Sequence, residues 1–247
     1  MLVVRHAETC VAGSGGNCEA DIADELYFQS SQCELENATP YKLATSSFTL
    51  HKRNCVGTGN PQALPITAGD IAEKRKFISN IYYVRDYASI VGDGIPTLML
   101  SQFDLVSGTL AHQTAVPLIE GVEGFRVELG FDSLSDTGAA VNYADAVHWA
   151  NAANLTSPTN RGDGVPDGAF IKCTSAIPCT AAQLANVVAV KLYVLARADS
   201  VSPGYTDTKT YALGSTTLGP YNDGFKRHVF STTVRLNNVS GRRETPP

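Results

Sequence analysis

VVAVKLYVLAR (Val187–Arg197) and KRHVFSTTVRL (Lys226–Leu236) are the two stretches that decide the fold of this chain. In the first, Val188, Val190, Leu192, Val194 and Ala196 alternate with Lys191, Tyr193 and Arg197. This period of two is typical of a β-strand, because successive side chains of a strand point to opposite faces of its sheet. The second stretch alternates in the same way. Turn residues separate the two (Pro203-Gly204, Gly214, Gly219-Pro220 and Asp223-Gly224), so we expect a meander of antiparallel strands.

Short strands are also predicted along the rest of the chain, and helices are scarce. The remaining strand predictions are Leu2–Arg5, Glu25–Gln29, Phe48–His51, Lys76–Arg85, Thr97–Leu105 and Phe125–Gly130. A short helix is predicted at Tyr143–Asn151, and a second begins at Thr180, where Gln183 completes a capping box. The sequence therefore predicts an α+β protein that is mostly β. We expect one domain over residues 1–247, with long loops.

The composition indicates a chain that does not bind nucleic acid. Only 17% of the residues are charged and the net charge is −5, whereas nucleic-acid binding calls for a basic patch. We interpret Lys74-Arg75-Lys76 and Arg242-Arg243 as solvated positive charges, and Glu120 and Glu123 as solvated turn residues. No apolar run reaches the length of about 18 residues that a transmembrane helix requires. The first residues read as a strand, without a leader or a membrane anchor.

Six cysteines form an even set, which predicts disulfides and an oxidising compartment: Cys10, Cys18, Cys33, Cys55, Cys173 and Cys179. Six cysteines allow fifteen pairings, and sequence alone cannot choose among them. Local spacing favours Cys10 with Cys18 and Cys173 with Cys179, which leaves Cys33 for Cys55. A zinc site is disfavoured because the chain has no C-x-x-C pair and no histidine at ligand spacing from a cysteine.

The segment Asp132–Phe170 is the longest loop-like insertion, and it contains a candidate calcium site. Its run NRGDGVPDG (Asn160–Gly168) resembles oxygen-rich calcium loops, with Asp163 and Asp167 as candidate ligands. Two positions that usually carry carboxylates are Thr159 and Arg161 here, and a turn stabilised by Asp and Gly explains the same residues. We therefore expect no cofactor, with calcium as the alternative.

The strongest enzyme signal is LVVRHAET (Leu2–Thr9), which resembles the phosphohistidine motif of histidine phosphatases. In that interpretation Arg5 binds phosphate and His6 is the nucleophile. The second catalytic histidine has no good candidate, because His112 and His148 lack the expected strand-then-glycine context. We interpret Arg5 and His6 as surface residues of a first strand, and we expect no catalytic residue.

Several separate segments resemble, in order, the PilW family of minor pilins of the type IV pilus. Three lie towards the C-terminus: VVAVKLYVLARA, GYTDTKTYALG and FKRHVFSTTVRLNNVSGRRETP. Others are Val84–Leu100 (VRDYASIVGDGIPTLML), Leu118–Asp132 (LIEGVEGFRVELGFD) and Asn160–Gly168. Members of that family begin with a leader and a hydrophobic helix, which this sequence lacks. The resemblance thus implies a pilin-like antiparallel sheet domain without its N-terminal helix.

The resemblance also implies a function in pilus assembly. The partners it implies are other minor pilins (PilV, PilX and FimU), the major pilin and a tip adhesin, in a complex that primes assembly for twitching motility and adhesion. The location it implies is the periplasmic face of the inner membrane and then the tip of the extracellular pilus. Candidate contact surfaces are Asp132–Phe170 and the C-terminal strand region. The alternatives are a secreted adhesive or carbohydrate-binding β-domain and the phosphatase.

Overall fold

The fold is known from a computed structural model, which describes residues 1–33, 36, 39–52, 70–135, 137–142 and 162–237. The chain forms two compact units. The N-terminal unit comprises residues 2–82 and 99–118, and the C-terminal unit comprises Met1 and residues 83–98 and 119–247. Strands dominate, and the helix at Ala181–Ala185 is only five residues long, so the prediction of a mostly β protein is confirmed.

Seven strands form the larger sheet, and most of their residues belong to the N-terminal unit. They are β1 (Leu2–Ala7), β2 (Tyr27–Ser30), β3 (Tyr41–Ala44), β4 (Lys74–Arg85), β5 (Thr97–Val106), β6 (Thr109–His112) and β7 (Val116–Glu120). The order is β3-β2-β4-β5-β6, while β1 also pairs with β4 and β7 with β5. The pairings of β1 with β4, β2 with β3 and β4, and β5 with β6 are antiparallel.

The interior of the N-terminal unit combines apolar packing with satisfied polar groups. Tyr27 and Met99 are fully buried there. Gln29 is also fully buried, and its side-chain amide donates to the carbonyl of Ala72 at 2.6 Å and accepts from the amide of Leu50 at 3.1 Å. A buried amide costs stability unless it is hydrogen-bonded, so these bonds fix the loop around Leu50 against β2.

Lys76, which we predicted to be a solvated charge, lies among three carboxylates. Its ammonium group is 3.1 Å from Glu19, 3.0 Å from Asp104 and 3.7 Å from Glu25. Burial alone would lower the pKa of Lys76, but hydrogen bonds to Asp104 and Glu19 outweigh it and raise the pKa above its ordinary value. The prediction of a solvated Lys76 is therefore wrong. The strand predicted at Phe48–His51 is wrong as well, since the structure has only one β-bridge there, between His51 and Ile71.

The C-terminal unit is built on a three-stranded antiparallel sheet in the order β12-β9-β8. Its strands are β8 (Val122–Phe131), β9 (Val187–Arg197) and β12 (Arg227–Arg235), and a hairpin of β10 (Tyr211–Leu213) and β11 (Thr216–Leu218) joins β9 to β12. The central strand β9 has the bounds predicted from its alternation. Helix α1 (Ala181–Ala185) precedes β9 and begins at Thr180, whose hydroxyl accepts from the amide of Gln183 at 3.1 Å, so the predicted capping box is confirmed.

The hairpin packs on one face of this sheet, and the hydrophobic core lies between the hairpin and β9. Leu195 and Leu213 are fully buried, and Tyr193 and Tyr211 pack with them. The hairpin needs a glycine at its tip, because Gly214 has φ +63° and a Cβ there would lie 2.3 Å from the carboxylate of Glu128. Glu128 in turn accepts from the amide of Ser215 at 2.6 Å, which ties the hairpin tip to β8.

Two of the predicted disulfides are present. Cys10 is bonded to Cys18 and Cys173 to Cys179, each with a Cα–Cα distance of 5.4 Å. Cys33 is also disulfide-bonded, whereas Cys55 lies outside the described residues. These bonds fit an oxidising compartment.

Candidate interaction surface

A cluster of charged residues around Arg227 holds the hairpin connection on the three-stranded sheet. The guanidinium of Arg227 donates to three carboxylates: Glu123 on β8 at 2.9 Å, Asp207 at 2.8 Å and Asp223 at 2.6 Å. The Arg227 and Asp207 side chains are 1% and 0% exposed. Removing either partner of such a buried pair leaves an uncompensated charge. We predicted a solvated Glu123, which is wrong, because the side chain of Arg227 reaches it from β12 across the central strand β9.

The charges in this cluster have shifted pKa values. Burial opposes ionisation of Asp207, but hydrogen bonds from Arg227, Tyr211 and Tyr205 outweigh it and leave the pKa of Asp207 below its ordinary value. The hydrogen bond from Arg227 likewise lowers the pKa of Asp223. Burial and the neighbouring Asp207 raise the pKa of Tyr211. All three groups therefore keep one protonation state near neutral pH, which suits a structural cluster.

The opposite face of the three-stranded sheet is apolar, and we call it the apolar face. It consists of seven side chains from three strands: Val127, Leu129, Val190, Leu192, Val194, Phe230 and Val234. Register places Val127 opposite Leu192 and Phe230 opposite Val194, so these side chains share one side of the sheet. The members on β8 and β9 are half-buried, but Phe230 and Val234 on β12 are 56% and 45% exposed. Exposed apolar side chains continuous with such a face mark a surface suited to protein contacts.

Hydrogen bonds join the two ends of the insertion Asp132–Phe170 to each other. The fully buried carboxylate of Asp132 accepts from the amide of Asp163 at 3.2 Å and from that of Gly164 at 2.9 Å. Gly162 is required here, since a Cβ would lie 2.0 Å from the Asp132 carboxyl group. Residues 143–161, with the helix predicted at Tyr143–Asn151, lie outside the described residues. The predicted contact role of the insertion stays a prediction.

The structure places both candidate calcium ligands in hydrogen bonds to the backbone. The Asp163 carboxylate accepts from the amide of Val165 at 2.8 Å, and the Asp167 carboxylate accepts from the amides of Ser133 and Leu134, both at 2.7 Å. Within the described ranges, no three His, Cys, Asp or Glu residues are arranged to hold a metal ion. The calcium site stays a prediction.

The two residues of the phosphatase-like motif lie on an exposed strand. Arg5 and His6 belong to β1, pair with Ser79 and Ile78 of β4, and are exposed. His112, a candidate second histidine, lies on β6, where its ring contacts that of Phe103. His148 lies outside the described residues. The structure thus assigns Arg5 and His6 to strand pairing.

The loop between β4 and β5, where the sequence predicts a hairpin turn at Asp93-Gly94 and Ile95-Pro96, presents two further apolar side chains. Between β4 and β5, the carboxylate of Asp93 accepts from the amides of Ala88, Ser89, Ile90 and Ile95 at 2.9–3.1 Å. At the loop's tip, Ile90 and Val91 are 73% and 78% exposed. These hydrogen bonds lower the pKa of Asp93, so the carboxylate stays ionised and holds the loop in one conformation. The sequence signal was an Asp-Gly turn that follows two apolar residues.

None of the helices in the described part of the chain is long and apolar enough to cross a membrane. No curated protein is significantly similar to this chain. Among solved structures, a type IV-like pilin from Thermus thermophilus is 16% identical, with 66% of this chain and 79% of that chain covered and a TM-score of 0.26. The sequence model of type IV pilus-assembly protein W matches residues 81–238, a range that contains all of β8, β9 and β12. The chain belongs to the type IV pilus-assembly protein W family.

Proposed function

We propose that this protein is a non-catalytic minor pilin that joins other minor pilins of the PilV, PilX and FimU types. Their complex would prime assembly of the type IV pilus, meet the major pilin and carry an adhesin at the tip. The family match over residues 81–238 carries the proposal, because it spans the whole three-stranded sheet. Before assembly the protein would lie at the periplasmic face of the inner membrane, and afterwards in the extracellular pilus.

The surface chemistry of the C-terminal unit supports this role. Protein contacts need exposed apolar side chains on a rigid support, and Phe230 and Val234 lie on a strand that is fully paired with β9. The loop held by Asp93 offers a second rigid apolar contact through Ile90 and Val91. A hydrophobic helix, which pilins carry at their N-terminus, could bury the apolar face in the assembled fibre.

A gene deletion in the native host tests the proposed function. We expect the deletion strain to show far fewer surface pili by electron microscopy and to lose twitching motility, and the complete wild-type gene to restore both. A complementing His6→Ala variant should restore pili as well as the wild type does, because the proposal gives His6 no catalytic role. A deletion strain with normal pili and motility would overturn the proposal. Failure of His6→Ala alone, with normal protein levels, would instead favour the phosphatase.

A further inference from the structure

The two edge strands of the three-stranded sheet differ in whether their outer edge is covered. On β8, the amide of Leu129 donates to the carbonyl of Ile171 at 2.8 Å, and the amide of Ile171 donates back at 2.9 Å. The amide of Asp167 donates to the carbonyl of Phe131 at 2.9 Å. The segment 167–171 therefore occupies part of the β8 edge, and the other edge of the sheet is β12.

Strand geometry identifies the backbone groups on the open edge of β12. The amide of Leu236 donates to the carbonyl of Val188 at 2.8 Å, and the carbonyl of Lys226 accepts from the amide of Ala198 at 2.8 Å. The even-numbered residues of β12 therefore point their amides and carbonyls towards β9. In an antiparallel pair the intervening residues point theirs the other way. The outward residues at the centre of β12 are Val229, Ser231 and Thr233. No described residue hydrogen-bonds to the amides of these three residues.

The centre of β12 lacks the features that usually protect an edge strand from pairing with another chain. Edge strands are commonly blunted by proline, charge or a bulge. From Phe230 to Val234 the sequence is FSTTV, and all five side chains are exposed. By contrast, the exposed strand β7 contains Pro117 and ends at Glu120. Register between β12 and β9 runs without a shift over the nine pairs of the strand.

We propose that β12 is the docking edge for one extended segment of a neighbouring pilus protein, which adds as a fourth strand. The proposal rests on the proposed function, since it specifies how a pilin partner would be held. The amides and carbonyls of Val229, Ser231 and Thr233 supply the hydrogen bonds. The partner segment carries apolar side chains at alternate positions, because these side chains would lie on the same face of the sheet as Phe230 and Val234 and contact them.

Charge defines the partner segment further. Lys226 precedes β12 and is exposed. A shallow depression of about 280 Å³ lies beside it, lined by Lys226, His228 and Phe230 among others. We therefore expect an apolar segment with an acidic residue near one end, since opposite charges at the rim of an interface favour association and set the register.

The test compares two substitutions of one residue in a complex with the soluble domains of the sibling minor pilins. Ser231→Pro removes an outward amide without touching the hydrogen bonds to β9, whereas Ser231→Ala keeps that amide. We expect Ser231→Ala to bind as the wild type does and Ser231→Pro to bind at least about tenfold more weakly. Circular dichroism melting of the free variants checks that both remain folded.

Hydrogen exchange of the wild-type protein gives a second readout that needs no variant. The amides of Val229, Ser231 and Thr233 should exchange fast in the free protein and slowly in the complex. A complex that forms equally with Ser231→Pro and leaves these amides unprotected would overturn the docking edge while the minor-pilin role stands. No complex with any sibling would overturn both. If these amides are instead protected in a homodimer of this chain, the segment that docks on β12 comes from a second copy, and the proposal of a different pilus protein is overturned.

Discussion

Arg227 is the residue on which the C-terminal unit depends most. Its buried guanidinium forms ion pairs with Glu123, Asp207 and Asp223, and it lies 3.8 Å from the centre of the Tyr221 ring. We expect Arg227→Met to lower the free energy of unfolding by about 3–5 kcal/mol, because the carboxylate of Asp207, which is 0% exposed, would stay buried without its partner. Urea unfolding with the disulfides intact measures the loss.

Lys226 offers the matched control for Arg227. It is the neighbouring cation but is exposed, so Lys226→Met should change the free energy of unfolding by no more than about 0.5 kcal/mol. Equal effects of the two substitutions would contradict the structural role of the cluster.

The lowered pKa values of Asp207 and Asp223 predict a loss of stability in acid. A carboxyl group with a lower pKa in the folded state stabilises the fold fully above its unfolded pKa, and this contribution is lost as the pH falls through the folded pKa. The melting temperature of the wild type should therefore fall as the pH drops below about 4. In Asp207→Asn it should start lower and fall less steeply. An unchanged slope would show that Asp207 is not the titrating group.

Among the single elements, the loop between β4 and β5 is held at four of its backbone amides by one side chain. Asp93 holds four backbone amides, so Asp93→Ala should speed hydrogen exchange at Ser89, Ile90 and Ile95. The nearby exposed Asp86 forms none of these bonds, and Asp86→Ala should leave the exchange rates unchanged. Equal rates in wild type and Asp93→Ala would mean that the loop is held by other contacts.

The calcium prediction belongs to the loop that contains Asp163 and Asp167. Because both carboxylates already accept backbone hydrogen bonds, we expect the melting temperature to be the same in calcium and in a chelator. Asp167→Asn should lower the melting temperature in both buffers, since it weakens the hold on Ser133 and Leu134. A calcium-dependent rise that disappears in both Asp163→Asn and Asp167→Asn would establish a calcium site instead.

The long strands could be predicted from sequence because their alternation is strong over about ten residues. β9 begins and ends where its pattern does, and the cap of α1 needs only Thr180 and Gln183. The short strands β3, β6, β7, β10 and β11 were missed, since three to five residues carry little periodicity. The β5–β6 hairpin also turns through Ser107 and Gly108, both at positive φ, and serine is not a usual signal for such a turn.

The candidate surface could be predicted only in part. The predicted alternation, which begins at Val188, indicated one apolar face, and Val188 is fully buried. Leu195 on the other face is fully buried as well, because the hairpin packs there. Likewise, Glu123 and Arg227 are 104 residues apart in sequence, so nothing local marks them as partners. Such pairs depend on strand order, which the sequence pattern leaves open.

In the whole molecule, the part that matches the family also carries a surface that suits assembly. The family match covers the three-stranded sheet, and the exposed apolar side chains lie on that sheet and on the Asp93 loop. Subunits that meet through different surfaces form open, extended assemblies, as a fibre requires. A neighbour bound at β12 and another at the Asp93 loop would contact this protein through different surfaces.

The proposed role requires this protein to bind sibling minor pilins. Co-expression with their soluble domains, followed by size-exclusion chromatography with light scattering, measures the mass of the purified species. We expect a stable mixed complex of defined stoichiometry. A protein that stays monomeric with every sibling would overturn the proposed role.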